Sequence, residues 1–290
     1  MSKDISYHIP VMVQEIIEGL QIKPGKRYID ATIGGGGHGW EIVRRGGDLL
    51  GIDVDRDALE FTKGKFEVGS EKLEGQGTWK IVQGNFRDIG KLAREHGFET
   101  VDGVLFDLGV SSYQLDSASR GFSYRFGDAP LDLRLDQKKG RTAADIIAGA
   151  SEEELYEIFA KYGEEERAGA IAHAVVLARR VKPIATTGQL AAIVSESQPT
   201  LSRVFQALRI AVNDELEALR EGLLGSESLL VSGGRLAVIS FHSLEDRIVK
   251  EFFKRAIWKM ITKRPQRASF HEVEENIRSR SAKLRVAEKL

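Results

Sequence analysis

The 290-residue chain is 42% hydrophobic and 29% charged, an ordinary globular balance that excludes disordered and fibrous classes and suffices for one large core or two smaller ones. Forty-two basic against 43 acidic residues leave a net charge of −1, so any nucleic-acid contact must come from local patches. Cysteine is absent, removing disulfides, thiolate nucleophiles and cysteine metal sites, and no signal-peptide core or membrane-length apolar run occurs, so a soluble cytoplasmic protein without membrane association is expected.

His8-Ile-Pro-Val-Met-Val13 leads into a helix from Gln14 to Leu20 with Ile16, Ile17 and Leu20 on one face; His8 reads as a packed or capping histidine. Pro24-Gly25 turns the chain into a strand near 27–33, which runs into Gly34 to Gly37 and a helix over roughly 39–45. Without Cβ atoms such a loop can take positive φ and aim backbone N–H groups and a helix N-terminus at a ligand. Leu49 to Asp53 is a second buried strand, Asp55 to Lys65 a helix, and 64–77 a surface loop. Trp79 to Val82 is the third strand, 89–96 a helix, and Val101 to Asp107 the fourth strand. Strands alternating with helices at this spacing imply a parallel sheet, and Asp30, Asp53 and Asp107 stand near the ends of three of them, where α/β sheets place ligands.

From Leu108 the pattern changes. Residues 111–140 are rich in Ser, Gly, Asp and Arg, and 142–148, 152–162, 165–181, 187–196 and 201–223 are helical in period. The stretch is too long for a simple crossover and reads as an inserted helical subdomain, with the last long helix returning to the sheet. Seven acids between Glu152 and Glu166 read as a solvated helix face, and no metal-site spacing appears. Gly233 to Phe241 is a fifth strand, Ser243-Leu-Glu-Asp246 caps a helix running to about Met260, and the alternation in Ala282 to Ala287 suggests a last, edge strand. Residues 247–290 hold thirteen Lys/Arg against five Asp/Glu, a local balance of +8 that suits a polyanion.

Gly34-x-Gly36-x-x-Gly39 with Asp53 downstream also fits a dinucleotide fingerprint, so an NAD-dependent oxidoreductase stays open, whereas no Gly-Lys-Ser/Thr follows to make a P-loop. Hydride transfer should bring an acid or base beside the nicotinamide, and only His242 offers itself. S-adenosylmethionine, cationic at sulfur and carrying an amino-acid end, suits the residues better: Gly36 and Gly37 as the loop, Asp53 for ribose hydroxyls, Phe86 as an adenine shelf and Asp107 near the ammonium.

The sequence also resembles the RsmH (MraW) methyltransferases over nearly its whole length. The resemblance rests on His8-x-Pro-Val, Asp30-Ala-Thr-x-Gly-x-Gly-Gly-His38, Gly51-Ile-Asp53, Asp102-Gly-Val-Leu-x-Asp-Leu-Gly-Val-Ser-Ser112, Gln114-Leu-Asp116, Arg120-Gly-Phe-Ser123 and Pro130-Leu-Asp-x-Arg134. It continues through Tyr162-Gly-Glu-Glu165, Phe205 to Ile210, Asn213-Asp-Glu-Leu216, Gly234 to Arg247 and Arg280 to Arg285. The sequence has Tyr113, Leu133 and Leu135 where the family usually shows proline and methionines, and a shorter stretch after Trp258.

The resemblance implies a class I S-adenosylmethionine-dependent methyltransferase sheet of Rossmann-like α/β type from 1–112 and 200–290, with 113–199 an inserted helical substrate-recognition domain. The implied reaction methylates the N4 amine of a cytidine in the decoding region of small-subunit (16S) rRNA, free or in the assembling small ribosomal subunit, with a homodimer as a possible assembly. It also implies cofactor contacts at Gly36, Gly37, His38, Asp53, Phe86, Asp107 and Gln114, of which His38 and Gln114 come from the family alone. Asp107 and the backbone of 108–111 are candidates to orient the amine, and His242 or Asp246 to accept its proton. Phe241, Phe122 or Tyr124 are candidates to stack on an extruded base, and Arg120, Arg134, Arg278, Arg280 and Arg285 to contact the RNA backbone. A nonenzymatic RNA-binding assembly factor that kept the cofactor pocket is the third reading.

Overall fold

The computed structural model describes residues 10–70, 75–194 and 197–290, so His8 and the end of the helix expected over 187–196 lie outside the described residues. In chain order the elements are α1 (Val13–Leu20), β1 (Arg27–Asp30), α2 (Gly37–Arg44), β2 (Asp48–Asp53), α3 (Arg56–Ser70), β3 (Trp79–Gln83), α4 (Ile89–Glu95) and β4 (Val101–Asp107). There follow α5 (Ser112–Asp116), α6 (Ala143–Gly149), α7 (Glu152–Gly163), α8 (Ala168–Val181), α9 (Thr187–Val194), α10 (Gln198–Asn213) and α11 (Glu215–Leu229). The chain ends with β5 (Leu230–Ser240), α12 (Ser243–Phe252), β6 (Trp258–Met260), α13 (Phe270–Glu275) and β7 (Lys283–Lys289). It divides into two compact units, residues 1–111 with 216–290, and residues 112–215. Among the described residues no helix is long and apolar enough to cross a membrane.

The first unit is a seven-stranded sheet in the order β3-β2-β1-β4-β5-β7-β6, with β1 to β5 parallel and β7 antiparallel to both its neighbours. Side chains alternate across it with the period of two that a strand imposes. Ile29, Leu50, Ile52, Val104, Phe106, Leu236 and Val238 enter one core with Leu219, Leu223, Val249 and Phe253 of α11, α12 and the turn after it. Tyr28, Leu49, Leu105, Ala237 and Ile239 point the other way, where Ile16 and Leu20 of α1, Ile42 and Val43 of α2, and Leu59 and Phe66 of α3 cover them. Strand order reverses at β1, so the carboxyl ends of β2, β1 and β4 form the edge at which such sheets hold ligands.

The second unit is helical. Glu165 ties two of its helices together by accepting from Arg203 Nε of α10 at 2.7 Å, and Gln206 Nε2 of α10 donates to the carbonyl of Tyr162 at 3.0 Å. Glu165 is therefore buried and paired, unlike the solvated face expected of its acidic stretch.

Several boundaries differ from expectation: α3 runs to Ser70, through the first part of the loop expected over 64–77. The helix expected as one piece over 201–223 is two, because Asp214 takes φ +50° between α10 and α11. The return to the first unit falls there, at 215/216, and not at 200: Leu201, Val204, Phe205 and Leu208 are buried on α10, which packs on α7 of the second unit. Neither Gly nor Pro marks this break, since an aspartate can occupy the left-handed region at modest cost. Similarly, the helix from Ser243 ends at Phe252 rather than near Met260, and Trp258–Met260 becomes the edge strand β6, which leaves β7 inside the sheet. The cap of α12 is His242, not Ser243.

Candidate active site

Three carboxylates close β1, β2 and β4. Asp30 is fully buried, and burial first, then Asp53, raises its pKa to about 7 despite the N–H of Thr32 donating to it at 3.2 Å. Asp53 is raised by burial to about 6; it accepts from the N–H of Gly34 at 2.9 Å through one oxygen and of Asp55 at 2.9 Å through the other. Asp107 is raised well above the ordinary carboxylate value by burial, by Asp30 and by Glu245. Its own N–H donates to Thr32 Oγ1 at 2.7 Å, joining the end of β4 to the exit of β1.

The glycine loop is built against α3. Thr62 Oγ1 donates to the carbonyl of Gly34 at 2.6 Å and Lys65 Nζ to that of Gly35 at 3.3 Å. Gly36 has φ +71°, and a Cβ there would stand 2.5 Å from Thr62 Cγ2 and 2.8 Å from Phe66 Cε1. One at Gly37 would stand 2.7 Å from Pro10, so both positions require glycine for packing before any ligand is considered.

His38, buried on the first turn of α2, has Nε2 2.8 Å from the carbonyl of Val11. A carbonyl only accepts, so Nε2 carries the proton and Nδ1 is bare, 3.7 Å from Asp107 Oδ2. Burial lowers the imidazole pKa to about 4, so near neutrality this contact is neither an ion pair nor within hydrogen-bond distance. Phe86, half-buried in the turn after β3, meets Phe106 edge to face at 5.5 Å. Gln114 lies buried on α5 in the second unit, and its assignment to the cofactor rests on the family resemblance alone.

At the end of β5, His242 caps α12: Nδ1 accepts from the N–H of Glu245 at 3.4 Å and Nε2 lies 3.1 Å from Glu245 Oε1. Glu245 is buried, and its Oε2 accepts from the N–H of Phe241 at 2.8 Å. Glu245 and Thr32 are the site residues that sequence reasoning passed over; the signal for the first was a glutamate three residues after a capping position. Phe241 is half-buried with its ring over Gly109, whose φ of +92° keeps side chains out of that turn.

Several other sequence assignments meet committed side chains. Asp246 accepts from Arg285 Nε at 2.7 Å and lies 3.7 Å from Lys283, and its pKa is lowered by these cations, the opposite of what a proton acceptor needs. Arg285 is buried in that pair, and the buried Arg120 donates to the carbonyls of Arg134 and Leu135 at 3.3 and 2.9 Å, so neither presents its guanidinium to an RNA backbone. Arg134 is bound to Asp132 through 2.8 and 2.9 Å hydrogen bonds. Phe122 is buried, and Tyr124 packs on Phe205 at 5.5 Å. Arg278 is half-buried and Arg280 exposed.

The arrangement fits S-adenosylmethionine. Burial above all, with Asp53 beside Asp30 and Asp30 beside Asp107 adding to it, raises the proton affinity of these carboxylates, and a ligand bringing a sulfonium and an ammonium favours their charged forms. Asp53 accepts only backbone N–H groups, from Gly34, Asp55 and Val54, so its carboxylate retains acceptor capacity for a ribose hydroxyl.

The chain matches the MraW methylase family over residues 5–290. It is 44% identical over 311 residues to ribosomal RNA small subunit methyltransferase H of Carboxydothermus hydrogenoformans, covering 98% of each chain. It is 48% identical over 291 residues to the protein of that name from Deinococcus deserti, covering 98% of this chain and 93% of the relative. Among solved structures, SMU.1697c of Streptococcus mutans in complex with SAH superposes with a TM-score of 0.50 at 13% identity over 97% of this chain and 99% of the other, a likeness of fold. With the sheet, the glycine loop and the strand-end carboxylates all inside the matched span, the chain belongs to the MraW methylase family.

Proposed function

We propose that the protein transfers the methyl group of S-adenosylmethionine to the N4 amine of a cytidine in the decoding region of small-subunit rRNA. Membership of the family over residues 5–290, with relatives named ribosomal RNA small subunit methyltransferase H, carries the reading. When bound, S-adenosylmethionine supplies an electrophilic methyl carbon. Gly36, Gly37 and Asp53 hold its backbone-lined and ribose ends, Phe86 flanks the base, and Asp107 faces its cationic end.

A cytosine amine is a poor nucleophile because its lone pair is delocalised into the ring, so the protein's task is to orient that lone pair and exclude water. Asp107 and the backbone of 108–111 are the groups we assign to accept the amine hydrogens, with Phe241, whose ring lies near Gly109, as the stacking surface. The amine must lose one proton. Asp246 is locked to Arg285 and His242 Nδ1 caps α12, which leaves as acceptor Asp107 in its ionised form, the form that a cationic cofactor beside it would favour.

Labelled methyl transfer to immature small subunits tests this. Asp107→Asn keeps an acceptor oxygen but cannot take a proton, and turnover is expected to fall about 100-fold or more. Wild-type protein that binds S-adenosylhomocysteine yet transfers no methyl to rRNA would leave the assembly-factor reading, and binding of NADH would restore the oxidoreductase.

A further inference from the structure

Ten of the twelve basic residues after Arg247 fall into two sets, the others being Lys250, exposed on α12, and the half-buried Arg278. Lys254, Arg255, Lys259, Lys283 and Arg285 pair with Glu251, Glu227, Glu288 and Asp246, and Lys289 Nζ donates to the carbonyls of Glu227 and Leu230. Lys263, Arg264, Arg267 and Arg280 are exposed and make no ion pair among the described residues. All four lie on segments that run along β7 or lead into it. The N–H groups of Ile261 and Thr262 both donate to Val286 at 3.0 and 3.1 Å, and Gln266 and Leu284 exchange two 2.9 Å bonds, so 261–266 continues beside β7 at the sheet edge. Arg267 leaves that ladder just after Gln266, and Arg280 enters it from the turn before Lys283.

Large apolar side chains stand among them. Phe270, at the start of α13, is 83% exposed and Ile277 66% exposed. An aromatic ring left in water, on the stretch of chain between Arg267 and Arg280, costs solvation unless something covers it. The acids nearby are partly spoken for: Glu272 accepts from the N–H of Met12 at 2.7 Å and Glu275 lies 3.6 Å from His271, leaving Glu274 and a net positive edge.

We propose that this edge docks a single-stranded or loop segment of the substrate RNA, with Lys263, Arg264, Arg267 and Arg280 on phosphates and a base stacked on Phe270. The inference rests on the methyltransferase reading for the identity of the RNA. Charge complementarity selects a polyanion, and the exposed ring selects one with unpaired bases. A duplex would offer the phosphates but no free base face.

The test is a salt titration of full-length protein binding to a small-subunit rRNA transcript, followed by fluorescence anisotropy. Four phosphate contacts on single-stranded RNA contribute about 3 to the slope of log affinity against log salt, which K263A/R264A/R267A/R280A is expected to remove. Phe270→Ala is expected to weaken binding about tenfold with the slope unchanged. A second quadruple variant, R56A/K91A/K161A/R220A, loses equal charge from helical ion pairs and is expected to keep the wild-type slope. S-adenosylhomocysteine binding should be unaltered in all of them.

An unchanged slope in the first variant, an equal loss in the second, or loss of anionic-vesicle binding with RNA binding intact overturns the proposal. If the wild type binds RNA through these residues but methylates none, the docking surface stands and the functional reading fails.

Discussion

Asp30 and Asp246 are both carboxylates of the sheet unit, and their neighbours drive their proton affinities in opposite directions. Asp30 is fully buried at the end of β1, and that burial, with Asp53 adding to it, raises its pKa from 3.8 to about 7. The stability this group contributes is fully present below 3.8 and is lost as pH climbs through about 7. Ligand-free protein is therefore expected to melt several degrees lower at pH 8 than at pH 5, and Asp30→Asn to flatten that slope in a thermal-denaturation series. Asp246 is the reverse case, lowered by Arg285 and Lys283, so its contribution holds above 3.8 and fades as pH falls further. Asp246→Asn strands the buried Arg285 charge; a loss of roughly 3 kcal/mol in denaturant unfolding is expected, with turnover per folded molecule kept. Turnover lost at full stability would return Asp246 to the reaction.

The reading of elements succeeded where local chemistry decides and failed where partners do. Strands β1, β2, β4 and β5 carry buried apolar runs bounded by turn residues, and β3 a short apolar stretch around the buried Ile81, so their existence follows from local sequence pattern. The Lys254 to Met260 stretch suits a helix by propensity. It leaves the helix because Phe253 and Trp258 pack into the core at a ring separation of 5.5 Å and Trp258–Met260 bonds to β7. His242 belongs to the same class: a histidine next to Ser243 reads as chemistry, while its ring serves as the N-cap of α12. Asparagine caps at least as well, so His242→Asn is expected to retain turnover within about threefold and His242→Ala to lose about 1 kcal/mol of stability. A drop in kcat with asparagine and an unchanged melting point would make the imidazole catalytic.

For the whole molecule, the near-zero net charge means that any contact with a polyanion depends on local basic patches and not on the total. Cofactor affinity is likewise a whole-molecule quantity. S-adenosylhomocysteine at 100 times its Kd is expected to add about 2.7 kcal/mol and raise the melting midpoint by several degrees, with NADH at the same excess adding nothing. Equal stabilisation by both would mean that the carboxylate row does not select a cationic ligand.

The sequence by itself determined the strand-helix alternation, the glycine loop, the three strand-end aspartates and the family, because each depends on residue type and spacing within a short stretch. Only the tertiary structure decided which charges remain available. Arg285 and Arg280 look alike in the chain, yet one is buried against Asp246 and the other faces solvent, since an ion pair across 39 residues depends on how strands and helices meet and leaves no periodicity to read.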